Sequence, residues 1–204
     1  IMVVTGVQTC ALPILTGIYN RRFYEEELRR LDTKRNLPIS IVMSDVNGLK
    51  LINDSFGHYM GDELLKKVAK VIQLGCRADD IFARLGGDEF VILLPRTDAV
   101  ETDLIIKNIT ELSLSEKVGS INISISFGFD TKNNMEENTE NIFKNAEDHM
   151  YRRKLLDGPS IRRKTIKAII NTLYEKNNCE EQHSHRVSEL CKCMGEALGL
   201  RSEE

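Results

Sequence analysis

Two apolar runs, Ile81 to Leu85 and Asp88 to Leu94, are joined by Gly86-Gly87. This pattern constrains the fold more than any other stretch. A two-residue glycine link suits a tight hairpin turn, because that turn wants positive φ at both positions. At least one antiparallel strand pair is therefore required. It also poses a problem of charge, since adjacent carboxylates, Asp88 and Glu89, stand at the head of a buried strand. A regular strand points neighbours to opposite faces, so we expect one to bind a cation directly and the other to act differently.

The flanking chain alternates helices and strands. Ile18 to Leu31 reads as a charged helix with Phe23, Tyr24, Leu28 and Leu31 on its apolar side. Ile39 to Met43 reads as a buried strand, and Glu63 to Gln73 as a helix with Leu64, Leu65, Val68, Ala69, Val71 and Ile72 inward. Asp98 suits a helix N-cap, for a helix running to about Leu112. Ile121, Ile123, Ile125 and Phe127 alternate with polar residues, which predicts a strand buried on one face. A helix is expected over residues 139–155, and Asp157-Gly158-Pro159 should end it. The fold class is α/β, with a mixed central sheet flanked by helices, followed by an all-helical C-terminal segment.

Composition sets outer limits. A charged fraction of 29 % and a hydrophobic fraction of 41 % are ordinary for a globular protein. A net charge of −3 leaves no basic footprint for nucleic acid, which we exclude as a partner. The five cysteines are odd in number and lack a CxxC pair, which fits free thiols and a cytoplasmic location. Any membrane anchor would belong to segments outside this sequence. Cys179, His183, His185, Cys191 and Cys193 match no common structural zinc spacing. Residues 1–14, IMVVTGVQTCALPI, have neither period nor signal-peptide form. From Val4 to Ile14 they read like a translated sequencing adapter, so we set them aside as a joining artefact.

Several polar residues suit nucleotide chemistry. Asp45 closes a buried strand and precedes a glycine-containing loop. That arrangement fits a divalent cation, which takes one or two protein carboxylates, with Gly48 letting backbone amides approach phosphate. A solvated strand end with a helix cap explains Asp45 equally well. Asn53 and Asp62 offer an amide and a carboxylate, a pair able to read the edge of guanine. Both are also ordinary capping residues. Lys154 suits a triphosphate or simply a helix C-terminus.

The segments LTGIYNRR, DVNGLKLINDSFGHYMGD, RADDIFARLGGDEF, SISFG and AEDHMYRRK resemble, in order and spacing, the GGDEF family of diguanylate cyclases. The resemblance covers residues 15–157. It implies a fold similar to nucleotidyl cyclases and condensation of two GTP into cyclic di-GMP plus pyrophosphate. It implies magnesium, or manganese, at two ions per site. Asp45, Asp88 and the Val46 carbonyl are similar to the metal ligands, with Asp88 and Glu89 as catalytic acids. Asn53 and Asp62 match guanine-reading positions, with His58 lining the site. Gly48, Leu49, Lys50 and Lys154 match phosphate-contacting positions, and Gly86 and Gly87 let the nucleotide come close. Each domain would hold one GTP, so the resemblance implies a homodimer. Arg77 and Asp80 match the RxxD site at which the product inhibits.

Departures accompany the match. Pro13 stands where the family often has an acid. Asn47 replaces a frequent acid, and Gly48-Leu49 replaces a frequent aromatic pair. Gly158 replaces an arginine, for which Arg162 or Arg163 would have to substitute. Residues 158–204 read as a linker helix and the opening of a second domain. Its stretch TLYEKNNCEEQHSHRVSELCKCMGEALGL resembles the start of an HD-GYP phosphodiesterase, with His183 and Arg186 in an early motif. Three functions thus stay open: a cyclase, a GTP- or cyclic di-GMP-binding module that regulates a phosphodiesterase, or an inactive fragment.

Overall fold

The computed structural model describes residues 17–176 and 178–199, with residues 173–176 and 178–185 described by backbone only. The adapter-like segment and the side chain of His183 lie outside the described residues. Five strands form the main sheet in the order β1-β3-β4-β2-β7: Tyr19–Asn20, Ile81–Gly86, Glu89–Pro95, Ile39–Val46 and Ile125–Lys132. Strand β1 pairs with β3 in parallel and the other neighbours are antiparallel, so the sheet is mixed, as expected. The remaining strands β5 (Lys117–Val118) and β6 (Ile121–Asn122) make a separate two-stranded ribbon.

Strand β2 is central and buried at every position. Its alternation divides the core. Val42 and Val46 join Phe90, Ile92 and Leu94 under α2 (Leu49–Phe56), α3 (His58–Gly75) and α4 (Ala99–Ser115). Ile39, Ile41 and Met43 join Val91 and Leu93 on the other face, against α1 (Arg21–Leu31) and α5 (Thr139–Lys176). Asp45 follows the parity of Ile41 and Met43, so its side chain belongs to the α5 side.

Four local expectations change. The turn is Gly87-Asp88 rather than Gly86-Gly87, because Leu85 is bulged between the pairs Arg84↔Phe90 and Gly86↔Glu89. Both glycines do take positive φ, +156° and +52°. The strand expected from Ile121 to Phe127 is divided, since Ile121–Asn122 pair with Lys117–Val118 in the separate ribbon while the chain from Ile125 pairs with β2. Helix α1 starts at Arg21, capped by the Asn20 side chain, which frees Tyr19–Asn20 to pair as β1. The polar stretch after Gly48 contains a helix, α2, whose inward residues Leu49, Ile52 and Phe56 keep a helical spacing too short to stand out among its polar neighbours.

The fifth difference is larger. Helix α5 does not stop at Asp157-Gly158-Pro159 but carries Pro159 inside it. The structure divides into two compact units between Thr165 and Ile166. Helix α6 (Asn178–Ala197) belongs to the second, where Val187, Leu190, Met194 and Leu198 are exposed along one stripe, with Cys191 and Cys193 exposed beside them.

Candidate nucleotide and metal site

Strand register assembles the acids. Asp45 lies directly opposite Glu89 in the β2–β4 ladder, so both side chains point to one face. The bulge at Leu85 moves Asp88 out of the strand and into the turn. There its carbonyl accepts the Val46 N–H at 3.0 Å. The alternation rule that separates neighbours therefore does not apply to Asp88 and Glu89, and both charges act on Asp45, that of Asp88 more strongly.

Asp45 is only 4 % exposed. Burial raises its pKa; the hydrogen bond from Lys154 opposes this, and the Asp88 and Glu89 charges add to the rise. The Lys154 ammonium, from α5, donates to Asp45 Oδ2 at 2.7 Å. Asp45 Oδ1 is buried with no hydrogen-bond partner. A carboxylate oxygen left bare in such a place is costly unless a cation completes it, so the donor set fits a hard divalent ion. Among the described residues no three His, Cys, Asp or Glu side chains form a ready-made cage. Such an ion would draw its remaining ligands from phosphate and water.

After Asn47 the chain turns sharply. Gly48 takes φ +78° as the N-cap of α2, with no side chain closing that helix end. The Leu49 and Lys50 amides are thus left at a positive helix terminus, an arrangement suited to phosphate. Leu49 packs against the core and Lys50 is exposed. Asn47 holds the loop in place. Its side chain donates to Ser124 Oγ and Ser126 Oγ at 3.1 and 3.0 Å, and Ser126 donates back. The residue that departs from the family's frequent acid is therefore a structural clamp.

On the other side of the α2 terminus lies Asn53. Its Oδ1 is also buried without a partner. Gly61 of α3 makes room for it, since a Cβ at Gly61 would fall 1.9 Å from that oxygen. Asp62 follows, half-buried, and His58 opens α3, exposed. Sequence reasoning passed over Arg84. Its guanidinium donates to the Gly87 carbonyl from Nε and Nη2 at 3.1 and 2.6 Å. Burial lowers its pKa, while the Asp62 and Asp88 charges raise it. Arg84 thus links the guanine-type positions to the acidic turn. The signal for it was available, as a basic residue beside two acids in RLGGDEF.

Arg77 and Asp80 lie elsewhere. They precede β3, and the seven-residue step from Asp80 to Gly87 spans on the order of 20 Å of extended chain. Asp80 Oδ2 accepts the Arg77 backbone N–H at 2.6 Å, and the Arg77 side chain is exposed. Burial raises the Asp80 pKa against the pull of Arg77. Neighbouring Cys76 is likewise pushed up to about 12 by burial.

Comparison with known proteins gives this geometry its context. The chain is 31 % identical over 149 residues to the response regulator PleD of Caulobacter vibrioides, covering 69 % of this chain and 33 % of PleD. It is 36 % identical over 120 residues to Diguanylate cyclase A of Treponema denticola, covering 57 % of this chain and 32 % of that one. It therefore spans a third of either relative's length. The crystal structure of the GGDEF domain of DgcB from Caulobacter crescentus, in complex with c-di-GMP, superposes with a TM-score of 0.65 at 26 % identity, covering 73 % of this chain and 92 % of that one. The family described as "Diguanylate cyclase, GGDEF domain" matches residues 13–158. Through these residues the chain belongs to the GGDEF-domain diguanylate cyclase family.

Proposed function

We propose that this domain condenses two GTP into cyclic di-GMP and two pyrophosphates, each GTP held by one copy of the chain across a two-fold interface. The observation that carries the reading is a pair of buried acceptors without partners. They are Asp45 Oδ1, on the strand opposite Glu89, and Asn53 Oδ1, beside Gly61. One suits a cation and the other a guanine N–H.

Asp45, Asp88 and the Val46 carbonyl would hold magnesium or manganese, two ions per site, which when bound polarise the α-phosphoryl group and stabilise the leaving pyrophosphate. The Leu49 and Lys50 amides orient the phosphates at the α2 terminus. Lys154 leaves Asp45 for a phosphate oxygen. Asn53 and Asp62 select guanine, with His58 at the rim. Glu89, opposite Asp45 in the ladder, handles either the metal or the proton of the attacking 3′-hydroxyl. Arg84 keeps the Gly87 turn in shape while charge builds on the reacting group. Arg77 and Asp80 bind product away from the site. The cysteine usage and the absence of a basic footprint support a cytoplasmic domain that does not bind nucleic acid. The C-terminal segment, with His183 and Arg186, is proposed as the opening of an HD-GYP domain. The helical backbone of α6 and its apolar stripe are compatible with that.

The chain incubated with GTP and magnesium should release cyclic di-GMP, measured by chromatography. Asp88→Ala should lower the rate at least a thousandfold, about 4 kcal/mol of transition-state stabilisation, while the protein stays folded. GTP binding without product in the unaltered, dimeric chain would instead favour a receptor.

A further inference from the structure

The disagreement at Gly158-Pro159 is informative. Glycine and proline are the two poorest helix formers, and Pro159 has no N–H to donate to the carbonyl of Leu155. The helix nevertheless passes through both. No residue between Met150 and Thr165 is buried, so little packing holds this stretch in place. Leu155 and Leu156 are 59 % and 80 % exposed. Among the described residues two contacts tie the stretch down, one to Asp45 and one to the Gly48 loop. Before the weak point, Lys154 binds Asp45 Oδ2. Beyond it, Thr165 is buried against the Gly48 loop.

The second contact is specific. Apart from its chain neighbours, the only atoms of the described residues within 4 Å of where a Cβ at Gly48 would sit are Thr165 Oγ1 and Cγ2, at 3.6 and 3.7 Å. Thr165 Oγ1 donates to the Ile161 carbonyl at 3.0 Å, so the hydroxyl is already engaged. The face of Gly48 that carries no side chain of its own is thus bordered, at ordinary packing distance, by a side chain from α5.

We propose that residues 158–165 are an autoinhibitory strap, which closes the phosphate loop in the nucleotide-free chain and is released by GTP. Gly158-Pro159 is the hinge. The inference rests on the GTP reading above. Incoming phosphate takes Lys154 away from Asp45 and displaces Thr165 from Gly48, and the helix beyond Leu155 loosens. Anything that stiffens or pulls this helix then sets GTP affinity without touching the catalytic acids.

Hydrogen exchange on the full chain, with and without a non-hydrolysable GTP analogue and magnesium, tests this directly. We expect the amides of residues 47–53 to slow and those of 160–165 to exchange about tenfold faster on binding. Thr165→Gly should bind the analogue about fivefold more tightly, since it removes the covering side chain and weakens the strap helix. Slowing at both segments would make residues 158–165 a clamp on phosphate, with Arg162, Arg163 and Lys164 as its cations, and would overturn the proposal. Unchanged exchange at 160–165 with slowing at 47–53 would overturn it while leaving GTP binding intact. No slowing at 47–53 in either chain would overturn the GTP reading and the strap together.

Discussion

A single methyl group at residue 61 would occupy the place of the Asn53 side-chain oxygen. Alanine is a better helix former than glycine, so Gly61→Ala should leave α3 intact or slightly firmer. Its effect should fall on recognition instead. We expect GTP affinity to drop at least tenfold, by titration with a fluorescent analogue, with the thermal midpoint lowered by less than about 4 °C. Asn53 and Gly61 were both visible in the sequence, but their contact was not, because it joins two helices. The same holds for Lys154 and Asp45, which are 109 residues apart. The acids Asp45, Asp88 and Glu89 were legible because carboxylates in an apolar setting need a reason. Their grouping required the bulge at Leu85, which leaves no mark in an apolar run.

Elements are joined away from the site by a small buried network. Asp32, just past α1, accepts from Lys132 at the end of β7 at 2.6 Å and from Thr139 at the start of α5 at 2.8 Å. Lys132 is 3 % exposed, and Asp32 is the carboxylate its ammonium pairs with. Burial pushes the Asp32 pKa up, but the bonds from Lys132 and Thr139 prevail and lower it overall. A lowered folded-state pKa contributes stability that is complete above the unfolded value of about 4 and is lost as pH falls through the folded value. Because the Asp32 side chain is itself partly exposed, Asp32→Asn should cost only about 1 kcal/mol at pH 7. In urea titrations the gap from the parent chain should narrow below pH 4. A gap that stays constant to pH 2 would refute the linkage. At this scale the sequence was a mixed guide. Helices α3 and α4 announced themselves by period and by the Asp98 cap, which accepts from Val100 and Glu101. Helix α2 and strand β1 are too short for a pattern to declare itself, and each is fixed by what it packs or pairs against.

Across the whole molecule the mixed α/β sheet was predictable from alternation and the hairpin. The helix that runs on past Gly158 was not, because local propensity argued against it. The separation of Arg77 and Asp80 from the acidic turn has its own test. Arg77→Ala should leave the initial rate within about twofold and remove inhibition by added cyclic di-GMP, since an arginine that clamps phosphate contributes little from a surface ion pair alone. Inhibition of equal strength in the variant would discard that role. One property of β2 reaches further. It is registered along its length with both β4 and β7 and buried throughout. Its amides should open only when the whole domain unfolds, whereas those near Thr165 sit in an exposed helix next to a hinge. The two sides of the proposed nucleotide site therefore keep different clocks: Asp45, near the end of β2, stays put for the life of the fold, and the side chain resting on the Gly48 loop comes and goes many times within it.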